Sequence, residues 1–101
     1  MMEYVVHVTP AAWKEMKALP GHMRQRVRKA VDDLADEPRP SKSKKLDIPD
    51  LPTEVRRLRL DRWRIVYAVS DAEETVDVFA IRKRPPYDYG DLESILKDFP
   101  S

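Results

Sequence analysis

The sequence predicts an α+β fold, a helical hairpin packed on a four-stranded, mainly antiparallel sheet in the order β-α-α-β-β-β-α. Three observations carry this reading. Apolar residues recur at helical spacing in two segments on either side of Pro20-Gly21. Three later segments, 54–60, 63–70 and 75–84, alternate with period two and are separated by very short connections. A β-branched and aromatic segment, 4–8, precedes the hairpin, and a short helical pattern follows the last strand. A length of 101 residues suits a single domain, 1–101, with one modest core.

The first strand, 4–8, leads into Thr9-Pro10. A hydroxyl at the N-cap and proline at the first helical position mark a helix start. Ala12, Trp13, Met16 and Leu19 then form the apolar side of a helix over 10–19, and Pro20-Gly21 breaks it. A second helix, roughly 21–36, carries Met23, Val27, Ala30, Val31 and Leu34 on one face and Arg24, Arg28 and Asp32 on the other. So tight a break predicts an antiparallel helical hairpin. Residues 37–53 contain Pro38, Pro40, Pro49 and Pro52, so they cannot be regular throughout. A loop of this length in a small domain is usually functional or mobile, and this one carries Lys42, Lys44 and Lys45. The connections Asp61-Arg62 and Asp71 to Glu74 are short enough for hairpins, which makes the last three strands an antiparallel meander. Pro85-Pro86 ends the last strand, and Leu92, Ile95, Leu96 and Phe99 line a final helix near 91–97.

Charge is segregated. The net charge is only +1, yet nine Lys or Arg and four Asp or Glu lie between Arg39 and Arg64. Arg82, Lys83 and Arg84 form a second basic cluster, and the tail from Asp88 is acidic. This asymmetry implies a positive patch whose partner is a nucleic acid or an acidic protein, unless it is solvated surface charge. No apolar stretch approaches the ~18–20 residues needed to span a bilayer. Residues Glu3 to Val8 follow a strand pattern where a signal peptide would have a basic segment and an apolar run, so a cytoplasmic protein is expected.

Alternation sorts the meander into two faces. One is expected to offer its leucines with Trp63, Ile65 and Phe79 to the helices. The other then presents Arg57, Arg59, Arg64, Arg82 and Arg84, with Tyr87 and Tyr89 just beyond the last strand. Arginines so crowded must be solvated, paired with the acidic tail or matched to an anion, and the planar guanidinium suits phosphate. The tyrosines either stack on a base or pin the C-terminal helix. Familiar catalytic sets are missing. The chain has no Cys, its two His residues lack ligands at metal spacing, no serine sits in a nucleophile elbow, and two glycines cannot build a phosphate loop. The remaining chemistry is cofactor-free and metal-independent, on a phosphodiester, by arginine, lysine and tyrosine.

The stretch Arg57-Leu58-Arg59-Leu60-Asp61-Arg62-Trp63-Arg64-Ile65-Val66-Tyr67 resembles the core signature of the RelE/ParE toxin superfamily. In that signature an aromatic-Arg-aliphatic-aliphatic-Tyr strand follows a basic one. Phe79-Ala80-Ile81-Arg82-Lys83-Arg84, followed by Tyr87, resembles its closing motif, and the lysines before Leu46 match its basic loop. The likeness runs from about Tyr4 to Lys97. It implies a toxin of a type II toxin–antitoxin pair, with a small cognate antitoxin protein as partner. In the RelE-like branch such toxins cleave mRNA on the ribosome, inhibiting translation, by driving the ribose 2′-OH onto the adjacent phosphate.

Carried over by position, Arg64 and Arg84 match that branch's phosphate-binding arginines. Arg57 falls where a lysine is common, and Tyr87, with Tyr89 competing, matches its C-terminal tyrosine. Lys42, Lys44, Lys45, Arg59, Arg82, Lys83 and Tyr89 are then expected to bind RNA. Three departures stand out. A second basic position is Val55 here, arginine at 57 stays charged and is a poor base, and Pro85-Pro86 displaces the tyrosine. They keep open the ParE-like branch, which inhibits DNA gyrase without nuclease activity, and a degenerate member that only binds its antitoxin.

Overall fold

The computed structural model describes residues 3–48 and 53–83. Within them the chain runs through β1 (Val5–Val8), α1 (Pro10–Lys17), α2 (Gly21–Asp33), β2 (Ser43–Leu46), β3 (Glu54–Leu60), β4 (Trp63–Ser70) and β5 (Thr75–Lys83). The class is the expected α+β, with two helices on one mixed sheet. That sheet has five strands in the order β1-β5-β4-β3-β2. The extra strand, β2, lies inside the proline-punctuated loop, in the four residues between Lys42 and Asp47. It pairs antiparallel with β3, Lys44 opposite Arg57. β1 runs parallel to β5, and the other pairs are antiparallel. The expected helix near 91–97 lies outside the described residues.

Local chemistry explains the boundaries. Thr9 Oγ1 accepts the Ala12 N–H at 3.2 Å, and Pro10 occupies the first turn of α1. Pro20 has φ −56° and ψ 148°, an extended residue that starts α2 without a side-chain cap. Arg24 closes the hairpin by donating from Nη2 to Leu19 O (3.1 Å) and Lys17 O (3.3 Å), carbonyls that the end of α1 leaves without a helical partner. The glycine-free β3–β4 turn is made by Asp61 at φ 56°, a region that aspartate tolerates. Arg26 of α2 pairs with the Asp61 carboxylate and so joins the helical layer to that turn.

Met16, Leu19, Met23, Val27, Val31 and Leu34 from the hairpin bury against Leu58, Ile65, Tyr67, Val69, Val76 and Val78 of the sheet. Trp13, expected on the apolar side of α1, is instead 44% exposed. Ala12, Met16 and Leu19 follow the i, i+4, i+7 line toward the sheet, and Trp13 sits off it. Phe79 is also displaced from its expected face. Val66 pairs with Ala80 but Tyr67 with Val78, so Phe79 is the extra residue of a β-bulge. It shares the face away from the helices with Val55, Val66, Ala68 and Ala80, and is only 2% exposed. The bulge resets the alternation, so Ile81 returns to the helical side.

Candidate nucleic-acid interface

Directly opposed residues in a sheet share a face, and the register therefore maps the face away from the helices. Arg59, Arg64 and Arg82 stand abreast on β3, β4 and β5. Lys42 joins the end of that row, because its carbonyl accepts the Arg59 N–H at 3.3 Å. The next row along the strands is Lys44, Arg57, Val66 and Ala80. The one after that is Leu46, Val55, Ala68 and Asp77. The face thus grades from cationic at the β3–β4 hairpin to apolar at its other end, where burial raises the Asp77 carboxyl above the usual carboxylate range.

The cations are not equivalent. Lys42, Lys44 and Arg59 are exposed, and Arg57 and Arg82 are half-buried. Arg64 is only 4% exposed, and its Nη1 donates to Asp61 O and Trp63 O at 2.9 Å each. It braces the hairpin turn and puts its charge beneath the row. Lys83 ends β5, exposed. Lys45 opposes Arg56 and so lies on the other face from Lys42 and Lys44. Of the expected site residues, the register brings together Lys42, Lys44, Arg57, Arg59, Arg64 and Arg82. Arg84, Tyr87 and Tyr89 lie outside the described residues. Among the described residues no group of three or more His, Cys, Asp or Glu is arranged to hold a metal, and no helix is long and apolar enough to cross a membrane.

Sequence reasoning missed the groups that hold this face in place. Arg39 donates from Nε and Nη2 to Glu54 (3.0 and 2.8 Å) and from Nη2 to both Asp71 oxygens (3.1 and 3.0 Å). Tyr4 Oη donates to Asp71 Oδ1 at 2.6 Å. Arg56 bonds Glu54 and the Ser43 hydroxyl, which in turn donates to Pro40 O. The buried Tyr67 Oη donates to Pro38 O at 2.7 Å. These bonds tie residues 38–43 to β3, β4 and the β4–β5 turn, and so fix where Lys42 and Lys44 emerge. The bond from Arg39 holds the Glu54 carboxyl below its usual range, and bonds from Tyr4 and Arg39 do the same for Asp71. The only sequence signal was Pro38-Arg39-Pro40, an arginine between two rigid residues.

The fold recurs in solved toxins. The chain is similar to the archaeal RelE–RelB complex from Pyrococcus horikoshii OT3, with TM-score 0.74, 24% identity, and coverage of 85% of this chain and 100% of that one. It is also similar to the toxin–antitoxin complex RelBE2 from Mycobacterium tuberculosis, with TM-score 0.70, 25% identity, and coverage of 82% and 100%. The isolated E. coli RelE toxin matches with TM-score 0.67 and 22% identity over 95% of this chain and 99% of that one. A search of curated proteins found no match. The family described as "ParE toxin of type II toxin-antitoxin system, parDE" matches residues 6–85. The chain belongs to this ParE toxin family, within the RelE/ParE superfamily of type II toxin–antitoxin toxins.

Proposed function

We propose that the chain is a ribosome-dependent mRNA endoribonuclease, held inactive by a cognate antitoxin. The observation that carries this reading is the pair of cross-strand cation rows, Lys42-Arg59-Arg64-Arg82 and Lys44-Arg57, on one sheet face. Such a surface suits a polyanion whose phosphates recur at short intervals. In the reaction the ribose 2′-OH attacks the adjacent phosphorus, the bond to the 5′-oxygen breaks, and that oxygen leaves with a proton. The products are a 2′,3′-cyclic phosphate and a 5′-hydroxyl. The substrate supplies its own nucleophile, so no metal-activated water is required.

Arg57, Arg64 and Arg84 are the cations we assign to the phosphate charge, and Tyr87 or Tyr89 to base stacking or the leaving-group proton. Arginine stays protonated, so the proton from the 2′-OH needs another acceptor. Lysine, unlike arginine, can give up its own proton first, and Lys44, opposite Arg57, is our candidate. Exposed Lys42 and Arg59 position the RNA backbone, while Lys83, opposite Trp63, lies on the helical side of the sheet and could meet RNA only past its edge. Two of the solved relatives are toxin–antitoxin complexes, and we extend that kind of partner to this chain. Its acidic side chains would meet the same cations.

A specific observation favours a second reading. The family match is to ParE toxins, and Arg64, buried and bonded to two backbone carbonyls, already has a bracing role. On that reading the toxin binds and inhibits DNA gyrase without cutting RNA.

The deciding experiment induces the chain alone, maps mRNA ends, and measures gyrase supercoiling in parallel. The nuclease reading expects new ribosome-dependent ends bearing cyclic phosphate, reduced roughly 10²–10³-fold by Arg57→Ala, as for a lost transition-state cation or donor. Chelation that leaves ribosomes intact should not stop cleavage. Growth arrest with intact mRNA and blocked supercoiling would replace it with the gyrase reading. Co-expression of the neighbouring gene's product should relieve arrest and yield a stable complex.

A further inference from the structure

We infer that Glu15 on α1 sets the phosphate affinity of the basic face by acting as an intramolecular counter-anion to Arg82. This rests on reading that face as a phosphate-binding surface. β1 stops pairing with β5 at Val78, and there Thr9 N–H closes onto Val78 O at 3.0 Å as the chain turns into α1. Beyond that point Glu15 takes the place of a strand partner. Its Oε1 accepts the Ile81 N–H at 3.0 Å, and its Oε2 stands 2.9 Å from Arg82 Nε.

One carboxylate therefore does two separable things. The first is backbone satisfaction: Ile81 is buried, and its amide would be costly to leave without an acceptor. The second is electrostatic. Arg82 ends the row Arg59-Arg64-Arg82, where like charges stand directly opposed and repel. Glu15 puts a negative charge at the end of that row. The pair is not an ideal one. The Nε–H of Arg82 is not aligned on the carboxylate, so the contact is an ion pair without a linear hydrogen bond. The two side chains keep 25% and 31% of their surface exposed. With no aligned hydrogen bond from Nε to hold it, the pair is open to a better-fitting anion. A phosphate that matches the guanidinium fork competes well for the same cation. RNA binding then has to displace Glu15 from Arg82.

Gln at position 15 keeps the oxygen that caps Ile81 and removes the charge, which makes the two roles testable apart. The measurement is fluorescence anisotropy of a labelled uridine-rich oligoribonucleotide across a salt series, on the full chain. Wild type, Glu15→Gln, Arg82→Gln and the double variant are compared. Glu15→Gln should bind more tightly and steepen the log K against log salt line by about 0.7, because in wild type the displaced Glu15 takes up a counter-cation that offsets one released from the strand. In the Arg82→Gln background the same change should leave the slope where it was. Thermal melts should place Glu15→Gln near wild type and Glu15→Ala below it, because only alanine uncaps Ile81.

Equal slopes for wild type and Glu15→Gln, or equal steepening with and without Arg82, would overturn the inference. If wild type binds no RNA, the nucleic-acid reading of the face fails by itself. The effect on Glu15→Gln is then read with inorganic phosphate, as the shift of the melting midpoint. A larger phosphate-induced shift in Glu15→Gln than in wild type supports the counter-anion role, and equal shifts reject it.

Discussion

Arg39 shows how one side chain positions others on the basic face. Its planar fork meets Glu54 through two nitrogens and reaches Asp71 as well, a geometry that lysine cannot copy. Arg39→Lys should therefore lower stability, by roughly 1 kcal/mol once solvent screening of the half-exposed pairs is allowed for. The pH dependence has a definite sign. Arg39 holds the Glu54 carboxyl below its ordinary value, and Tyr4 with Arg39 does so for Asp71. A carboxylate whose folded pKa is depressed stabilises the fold above its unfolded pKa, ~4, and loses that contribution as pH falls through the folded value. Denaturant midpoints should fall on the acid side of pH ~4 in wild type and less steeply in Arg39→Lys. Parallel acid limbs in the two proteins would show that this network is not the acid-sensitive one.

At the scale of elements, β2 brings Lys44, and Lys42 just before it, to the basic face, and it is an edge strand of four residues. Its inner side is pinned by Ser43, buried, whose hydroxyl donates to Pro40 O at 2.7 Å and accepts from Arg56 Nε at 3.1 Å. Short edge strands sit at the low-stability end of a sheet and open locally. Ser43→Ala should raise amide hydrogen exchange across β2 while leaving β4 and β5 protected. On the nuclease reading, RNA cleavage should drop with it, because Lys42 and Lys44 lose their fixed exit. Unchanged exchange in β2 would mean that pairing with β3 alone suffices to hold it. The bulge at Phe79 is the other element-level device. It lets β5 supply Val76 and Val78 to the helical core, place Phe79 and Ala80 on the opposite face, and return Ile81 to the helices.

For the whole molecule, the sheet separates two chemistries. The helical side is a packed apolar core, and the other side grades from apolar to cationic, so a net charge of +1 coexists with a concentrated positive surface. Such a surface steers polyanions and gives salt-dependent association. Arg59→Ala and Lys42→Ala, both changes at exposed positions, should leave thermal stability within about 0.5 kcal/mol of wild type. Each should reduce the salt slope of oligoribonucleotide binding by about 0.7. A slope that does not change in either variant would place the RNA elsewhere.

Much of this was legible in the residues. Thr9-Pro10, Pro20-Gly21 and the alternation of 54–60 and 63–70 determined where helices and strands start and stop, because capping, ring constraint and pleating act within a few residues. The same alternation determined that Arg57, Arg59 and Arg64 share a face, and the signature around them pointed to the toxin superfamily. Tertiary structure decided the rest. Ser43–Leu46 reads as loop until β3 lies beside it, since a short polar strand gains its hydrogen bonds only from a neighbour. Phe79 obeys its parity until the register between β4 and β5 slips by one residue, an event no single strand encodes. Arg64 differs from Arg59 in its burial and its bonds to two backbone carbonyls, both of which depend on where the β3–β4 turn folds back. Glu15 and Arg82, far apart in the chain, become partners only because β1 ends where α1 begins and leaves the rest of β5 to be met by a helix.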